Sequence, residues 1–301
     1  MEHLPPGFRI GHWTDDEART GCTVILAPPS TIGGCDVRGN SPGSRELMLL
    51  GSEKSMKEVH ALLLTGGSAF GLASADGVMR YCEEHAIGYR TPWGRVPIVP
   101  AAVVFDLNVG SARVRPTADA GYRACHAASA DERRGGLIGA GTGTTVGKWR
   151  GFEYAMPGGI GFSSAQVGEI TVTALAVVNA IGDIHDEDGT ILAGARSPDG
   201  QWLARSMSYT EALYASHPPL TNTTLVAVLT NAALDKVDAN RAAQRMHDGF
   251  ARAIQPVHTT HDGDVSFVLA SGQVSVPFEV VAEAAAVVSA AAIRNAVRPE
   301  R

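Results

Sequence analysis

The sequence has few of the residues that would cross-link the chain or build a structural metal site. Only four cysteines occur among 301 residues, and no two of them form a CxxC pair. This scarcity excludes a disulfide scaffold and the cysteine-rich zinc modules. We expect reduced thiols, which are typical of reducing compartments. The cysteines are Cys22, Cys35, Cys82 and Cys125.

Basic clusters and long apolar runs are also missing. Lysine and arginine number 25 against 31 aspartates and glutamates, a formal net charge of -6, so we expect no nucleic-acid partner. The longest apolar run, near residues 280–292, is interrupted by Glu283 and rich in small side chains, so we expect no membrane span. The opening residues, MEHLPPGFRIGHW, show no basic stretch followed by an apolar core, so we expect no signal peptide and a cytoplasmic location.

The composition is that of a globular protein, with 45% hydrophobic residues and 34 glycines. Short apolar stretches rich in β-branched residues, each bounded by Gly, Pro, Asn or Asp, predict strands. The stretches are continuous rather than alternating, which predicts burial on both faces. They cover residues 24–27, 61–65, 96–99, 170–178, 225–229 and 265–270.

Helical patterns are fewer than strand patterns. One follows Ser68, a candidate N-cap, and another covers Lys236–Ala253 with Asp235 as its candidate cap. The last covers residues 279–297 and is rich in alanine. Because the helices are too few to give each strand its own crossover, we predict a layered α+β arrangement with sheets packed together and helices outside.

The segment before Thr223 differs from its surroundings. Residues 185–220 are polar, contain Asp-Gly turns and end in a stiff His-Pro-Pro, which predicts an exposed connector. An apolar strand, residues 225–229, begins almost directly after Asn222 and Thr223. This placement suits a hydroxyl residue that is exposed on its amino side and fixed on its carboxyl side.

Motifs of other chemistries are incomplete. Residues 139–148 have the glycines of a phosphate loop only in part, and Ser68 lies in a nucleophile elbow whose closing glycine comes one place late. His258, His261 and the neighbouring Asp262 and Asp264 could bind a metal, but they match no known ligand spacing. We expect neither a metal nor another cofactor.

Polar residues also stand at the ends of the predicted elements. Singly, each has an ordinary interpretation, such as a surface lysine, a strand-end asparagine or an Asp-Gly-Asp turn. Loops carry function, but most polar residues in loops do not, so this pattern alone leaves a joint active site open. The residues are Lys148, Asn179, Thr223, Asp262 and Asp264.

Several longer strings resemble one peptidase family. Residues 64–72 read LTGGSAFGL and are followed by ADGV, residues 36–39 read DVRG, and residues 96–101 read VPIVPA. These strings are similar to those of the S58 family of self-processing, N-terminal-nucleophile peptidases. That family includes L-aminopeptidase/D-amidases, β-peptidyl aminopeptidases and endo-type 6-aminohexanoate-oligomer (nylon oligomer) hydrolases. The resemblance runs from about Gly11 to the C-terminus.

The resemblance implies a fold and a self-cleavage. The family fold is a four-layer αββα sandwich, here a single domain over residues 1–301, and its members are tetramers of the cleaved unit. The family cleaves itself before a Ser or Thr that opens an apolar strand. Here that matches the Asn222–Thr223 bond, which would divide the protein into an α chain of residues 1–222 and a β chain of residues 223–301.

The resemblance also assigns partners to Thr223. Asp262 and Asp264 match the Asp-x-Asp of the nylon-oligomer branch, which the Asn-Thr cleavage pair also favours. Asn179 matches the family's asparagine, and Lys148 the lysine of that branch. Two departures from the family pattern bear on the substrate range: the connector matches poorly, and Phe105 stands where some D-amidases carry an oxyanion tyrosine.

These assignments give a mechanism as a hypothesis. Thr223 would be the nucleophile and its freed α-amine the base. Asp262 and Asp264 would orient Thr223 and pass protons, while Lys148 would favour the neutral amine. Asn179 would stabilise the oxyanion.

The expected substrates are small peptides or amino-acid oligomers such as 6-aminohexanoate oligomers, with L-aminopeptidase/D-amidase or β-peptidyl aminopeptidase activity as the alternative. A self-processing acyltransferase and a non-catalytic assembly or cargo protein are further alternatives.

Overall fold

A computed structural model describes residues 3–215 and 221–298 of the protein. Helices of this part are α1 (Ser74–Glu84), α2 (Ala118–His126), α3 (Tyr209–Ala215), α4 (Lys236–Ala253) and α5 (Phe278–Asn295), with short 3-10 turns between elements. Its strands are β1 (Arg9–Asp15), β2 (Thr20–Leu26), β3 (Ile32–Val37), β4 (Ser44–Arg45), β5 (Ala61–Thr65), β6 (Tyr89–Thr91), β7 (Gly94–Val96), β8 (Ala101–Val103), β9 (Thr145–Val146), β10 (Met156–Pro157), β11 (Gly159–Val167), β12 (Ile170–Asn179), β13 (Asp183–His185), β14 (Ile191–Ala193), β15 (Thr223–Ala232), β16 (Ile254–Gln255) and β17 (Val265–Val274).

Most of the longer strands belong to two five-stranded mixed sheets. The first has the order β1-β2-β5-β8-β4, and the second β11-β12-β15-β17-β3. Within the second sheet, β12 and β15 are antiparallel, whereas β15 and β17 run parallel. The carboxyl end of β12 therefore lies beside the amino ends of β15 and β17.

The two sheets pack face to face, and helices cover their outer faces. Alternate residues of β15 show this division: Leu225, Ala227 and Leu229 pack against the first sheet, while Val226 and Val228 pack against α4 and α5. Helices α1 and α2 cover the outer face of the first sheet. Each fully buried Val or Leu contributes roughly 1.5–3 kcal/mol relative to an exposed one. The result is the four-layer αββα sandwich that the family resemblance implies.

The strongest sequence patterns gave the right elements. Strand β5 has the predicted bounds, and β12, β15 and β17 extend the predicted stretches by one to five residues at their ends. Helix α4 has both predicted ends, and the Asp235 carboxylate accepts a hydrogen bond from Asp238 N at 2.8 Å, as an N-cap does. All residues of β15 are buried, as its continuous apolar pattern predicts.

Some predictions were wrong. Residues 96–99 mostly follow strand β7 rather than form a strand, because Pro97 within them and Pro100 directly after them cannot donate ladder hydrogen bonds. Ser68 does not cap α1: it starts a 3-10 turn with a φ of 52°, and residues 69–73 separate it from the helix. The sequence patterns also missed α2, α3 and the edge strands β1, β3 and β11.

The connector of residues 185–220 is less exposed than predicted. It contains β14 and α3, and its Ala193, Ala195 and Ala212 are buried. Ala195 and Ala212 pack against Trp149. The His-Pro-Pro part lies outside the described residues. Within the described ranges, no helix is both long and apolar enough to span a bilayer.

Candidate active site

Neighbouring strand ends of the second sheet bring the polar residues of the sequence analysis together. Asn179 ends β12 and is the register partner of Thr223, which opens β15. Asp262 and Asp264 lie just before β17, the parallel neighbour of β15, and Asn222 forms an isolated parallel bridge with Asp262. All of these residues are buried. Asn179 and Asp262, which lie 83 positions apart in sequence, therefore meet at one edge of the sheet.

Lys148 joins this group through Asn179. Its Nζ donates hydrogen bonds to the Asn179 backbone oxygen at 3.0 Å and to Asn179 Oδ1 at 2.9 Å. The Asn179 Nδ2 donates to the backbone oxygens of Phe105, at 3.2 Å, and Thr221, at 3.0 Å. The Asn179 amide is thus fixed on both sides, with its oxygen toward donors and its nitrogen toward acceptors.

The Asn222–Thr223 peptide is held between a hydroxyl and a backbone donor. Thr223 Oγ1 donates to the Asn222 carbonyl oxygen at 2.5 Å. The Gly263 backbone N–H donates to the same oxygen at 2.8 Å. Asn222 is only 3% exposed, so the predicted exposure on the amino side of Thr223 is wrong. The bridge to Asp262 explains the burial, since it adds Asn222 to the sheet edge.

The two aspartates are held by different elements. Asp264 Oδ1 accepts from Thr224 N at 2.6 Å, which fixes the chain just after Thr223. Asp262 Oδ2 accepts from the backbone N–H and the hydroxyl of Thr259, at 3.0 and 2.6 Å. The Asp-Gly-Asp segment is therefore a loop of this candidate site, and it does not form the hairpin turn that was its ordinary interpretation.

Burial shifts the ionisation of this site toward neutral pH. Loss of solvent lowers the pKa of Lys148 to about 7, although the charges of Asp262 and Asp264 act in the opposite direction. Burial, followed by repulsion from Asp264, raises the pKa of Asp262 to about 7. A lysine and a carboxyl group that both titrate near neutrality can exchange protons with a reacting group at physiological pH.

The glycine-rich string at residues 64–72 supports the site from the first sheet. The Asp106 carboxylate accepts hydrogen bonds from Gly67 N at 2.7 Å and from Thr20 Oγ1 at 2.6 Å. A Cβ on Gly66 would lie 2.1 Å from the same carboxylate, so this position has no room for a side chain. Asp106 follows Phe105, whose carbonyl receives the Asn179 amide. The string therefore positions an acceptor for Asn179, and Ser68 belongs to this support.

Sequence reasoning missed Gly263, Thr259 and His258 as members of the site. Gly263 contributes only its backbone N–H, which no side-chain pattern reveals. His258 was considered only as a metal ligand, but its Nδ1 lies 2.8 Å from Asp264 Oδ2. In the part of the chain that the structure describes, no three His, Cys, Asp or Glu side chains are grouped so that they could hold a metal ion.

The sandwich fold and the buried Thr, Lys, Asn and Asp groups at its sheet edge define a class of amide hydrolases with the N-terminal-nucleophile fold. The chain belongs to peptidase family S58, whose family model matches residues 6–299. It is a hydrolase of peptide or related amide bonds.

Curated relatives carry two kinds of name. An uncharacterized aminopeptidase of Mycobacterium tuberculosis is 44% identical over 290 residues, with 91% of this chain and 82% of the relative covered. A 6-aminohexanoate-oligomer endohydrolase of Agromyces is 32% identical over 280 residues, with 90% of this chain and 75% of the relative covered. The family predicted from the sequence strings is confirmed.

Solved structures confirm the fold. The L-aminopeptidase D-Ala-esterase/amidase of Ochrobactrum anthropi, described as a variant of the Ntn-hydrolase fold, superposes with a TM-score of 0.73 at 17% identity, covering 98% of this chain and 87% of that one. A Burkholderia β-aminopeptidase superposes with a TM-score of 0.70 at 22% identity, covering 97% and 84%.

Proposed function

We propose that the protein cuts its own Asn222–Thr223 bond and that the freed Thr223 is the nucleophile of the amide hydrolase. The observation that carries this proposal is the pair of contacts on one carbonyl oxygen. Thr223 Oγ1 and Gly263 N–H lie 2.5 and 2.8 Å from the Asn222 oxygen. A nucleophile and an oxyanion donor thus converge on the peptide that must break.

The cleavage divides into two steps. Thr223 Oγ attacks the Asn222 carbonyl carbon, and the negative charge that develops on the oxygen is stabilised by Gly263 N–H. The C–N bond then breaks, the hydroxyl proton passes to the departing Thr223 nitrogen, and an ester joins Asn222 to Thr223. Water opens this ester and leaves an Asn222 carboxylate and a free Thr223 amine.

Cleavage supplies the base that the intact chain lacks. Before it, the Thr223 nitrogen is an amide, which cannot accept a proton at neutral pH. After it, the nitrogen is an α-amine with an unperturbed pKa of about 7.7–8.0. This amine takes the Thr223 hydroxyl proton while Oγ attacks a substrate carbonyl. Neutral Lys148 and Asp262 exchange protons with the amine, because both have a pKa of about 7.

Asn179 has a second task after cleavage. In the intact chain its amide donates to Thr221 O, two residues before the bond that breaks. Once residues 221 and 222 withdraw from the sheet edge, that N–H becomes available to the oxyanion of a substrate. We assign Gly263 N–H to the self-cleavage, and Asn179 together with Gly263 to substrate hydrolysis.

For substrates, we propose small peptides or amino-acid oligomers, including 6-aminohexanoate oligomers. The Asn-Thr cleavage pair, the Asp-x-Asp segment and the 32% identical Agromyces endohydrolase support oligomer hydrolysis. The 44% identical mycobacterial relative supports the alternative, removal of amino-terminal residues from peptides. A panel of aminoacyl p-nitroanilides, β-peptides and 6-aminohexanoate oligomers separates the two activities.

A denaturing gel tests the nucleophile. The wild-type protein should give fragments of residues 1–222 and 223–301, and Thr223→Ala should stay whole and inactive. Thr223→Ser should process and retain activity, because it keeps the hydroxyl. A Thr223→Ala protein that still divides at this bond, or a whole chain with full amidase activity, would contradict the proposal.

We further propose that the cleaved protein remains one folded domain and assembles in the cytoplasm as a homotetramer of αβ units. Fragment 223–301 contributes β15 and β17, which lie between β12 and β3 of fragment 1–222, so the sheet itself would hold the two together. Size-exclusion chromatography with light scattering tests both statements. Separate elution of the fragments, or a mass of one unit, would contradict them.

A further inference from the structure

A row of buried and partly buried polar side chains leads from Asp264 to the surface. His258 Nδ1 lies 2.8 Å from Asp264 Oδ2, and His258 Nε2 lies 3.1 Å from His247 Nδ1. His247 Nε2 in turn lies 3.3 Å from Asp36 Oδ2. Asp36 is partly exposed and paired with Arg38. The two imidazoles thus connect an active-site carboxylate to a surface carboxylate.

The groups beside the two outer ring nitrogens, His258 Nδ1 and His247 Nε2, determine whether each nitrogen carries a proton. His258 Nδ1 faces the Asp264 carboxylate, so the gap between them holds one proton. Around His247 Nε2 lie Asp36 Oδ2, the Asp36 backbone oxygen at 3.4 Å and Ser266 Oγ at 3.1 Å. The Ser266 hydroxyl is directed to Ala243 O at 2.8 Å, so its oxygen faces His247 as an acceptor. Because the neighbours of His247 Nε2 among the described residues are all acceptors, this nitrogen carries a proton.

The hydrogen bond between the two imidazole rings requires one proton more than two neutral rings carry. Two neutral imidazoles hold two protons, and both are already used at the outer nitrogens. A hydrogen bond between His258 Nε2 and His247 Nδ1 therefore requires a third ring proton, which gives the pair one positive charge. This charge lies between the Asp264 and Asp36 carboxylates, whose opposite charge stabilises it; burial lowers the pKa of His247, although its hydrogen bond to Asp36 opposes the shift.

The surroundings fit this distribution. The Phe250 ring packs on both imidazoles, with centroid distances of 4.8 Å to His247 and 5.4 Å to His258, and reduces their contact with water. His258 has a φ of 52°, a left-handed conformation that is uncommon for residues other than glycine. Such a conformation persists where neighbouring contacts hold the residue in place.

From this geometry we propose that His258 and His247 are positioning residues that share three ring protons between Asp264 and Asp36, and so hold the Asp264 side chain oriented beside Thr223. The proposal rests on the proposed function of Thr223. The charged or titratable groups facing the pair are Asp264 at one end and Asp36 with Arg38 at the other. Beyond Asp264 lie Asp262 and Lys148, whose ionisation depends on the Asp264 charge.

A direct test counts the ring protons. Nitrogen NMR of the whole protein with ¹⁵N-labelled histidine, at pH 7, should show three N–H groups in the two rings. Their signals are assigned by their loss in His258→Asn and His247→Asn. Two N–H groups in the two rings would overturn the proposal. This measurement needs neither substrate nor self-cleavage, so it is independent of the role of Thr223.

A kinetic test uses His247→Asn, because His247 does not contact Asp264 directly. The expected loss in self-cleavage rate is about tenfold to hundredfold, the scale of a small misplacement of reacting groups. The rising limb of the pH–rate profile should move to higher pH, because Asp264 without a neighbouring cation favours protonated Lys148. A slower variant with an unchanged profile would show a merely structural role and overturn the proposal, as would an unchanged rate.

The matched control is His126→Asn, which changes an exposed histidine at the end of α2 and should leave rate and profile unchanged. Melting temperatures of all variants identify those that fold. If His247→Asn does not fold, His258→Asn replaces it, because asparagine tolerates the left-handed backbone there and can still donate to Asp264. Wild-type protein that never divides would contradict the role of Thr223 and leave the proton count to decide the histidine pair.

Discussion

Asn179 and Thr223 are direct cross-strand partners, the last residue of β12 opposite the first residue of β15. This pairing fixes the distance between the proposed nucleophile and the amide that binds Lys148, because both belong to one sheet. Catalytic groups on strands are held more firmly than groups on free loops.

Asn179→Asp should abolish most activity while keeping the size of the side chain. The change replaces the Nδ2 donor to Phe105 O and Thr221 O with an oxygen, and it places a carboxylate against Lys148 Nζ. The rate of amide hydrolysis should fall about 100- to 1,000-fold, as for loss of an oxyanion donor. Kinetics of amide hydrolysis by the divided protein measure the effect.

Asn231→Asp is the control for that change. Asn231 bridges strands at the other end of β15, where it accepts from Thr171 N and donates to Glu169 O. Asn231→Asp should lose stability to a similar extent but hydrolyse amides at the normal rate. Equal activity of the two variants would refute the role of Asn179.

Gly263→Ala should slow self-cleavage. An added Cβ would lie 2.6 Å from Ser41 O and 2.9 Å from Thr223 Oγ1, so the N–H or the hydroxyl must move away from the Asn222 carbonyl. A loss of about 100-fold or more is expected if this N–H is the oxyanion donor. Time courses of precursor division on denaturing gels measure it.

The control for Gly263 is Gly272→Ala. A Cβ on Gly272 contacts nothing within 4 Å, although its φ of 77° makes any side chain strained. This variant should lose stability and divide at the normal rate. Normal division of Gly263→Ala would remove Gly263 from the mechanism.

Asp262→Asn should raise the melting temperature at pH 8 and leave it nearly unchanged at pH 5. The pKa of Asp262 is raised to about 7 in the folded protein, above its unfolded value of about 3.9. The folded state therefore binds more protons between these values, and stability is lost as the pH rises toward 7. At pH 5 the carboxyl is already neutral and resembles the amide.

Calorimetry at the two pH values, together with a processing assay, tests this prediction. A change of 1 kcal/mol in the free energy of unfolding shifts the melting temperature by about 2–4 °C in proteins somewhat smaller than this one. Processing should be lost at both pH values because the amide cannot pass protons as the carboxyl does. Destabilisation of Asp262→Asn at pH 8 would contradict the prediction, because it would show that the ionised Asp262 side chain stabilises the folded protein.

Tyr209→Phe should loosen the connector without stopping self-cleavage. The Tyr209 hydroxyl donates to Asp183 Oδ2 at 2.9 Å, and Asp183 is fully buried. Loss of this bond costs about 1 kcal/mol, and helix α3 should become more sensitive to protease. Limited proteolysis with mass spectrometry locates the cuts. Tyr154→Phe serves as the comparison. Tyr154 is partly buried and is the last residue of the 3-10 turn of residues 152–154.

The sequence by itself determined the elements whose signals are local. Continuous apolar stretches identified the central strands, and Asp235 marked the start of α4, because strand burial and helix capping depend on neighbouring residues. The resemblance of longer strings to the family determined the class of fold and the set of polar residues. The structure alone showed why one string contains Gly66: a side chain there would leave no room for the Asp106 carboxylate.

Only the tertiary structure decided how those residues meet. The parallel pairing of β15 with β17 places Gly263 N–H on the Asn222 carbonyl, and a backbone donor has no sequence signature. The structure also placed His258 and His247 between Asp264 and Asp36, residues separated by as many as 228 positions. Burial at this sheet edge, which moves the pKa of Lys148 and Asp262 to about 7, is a property of the packed layers rather than of any local pattern.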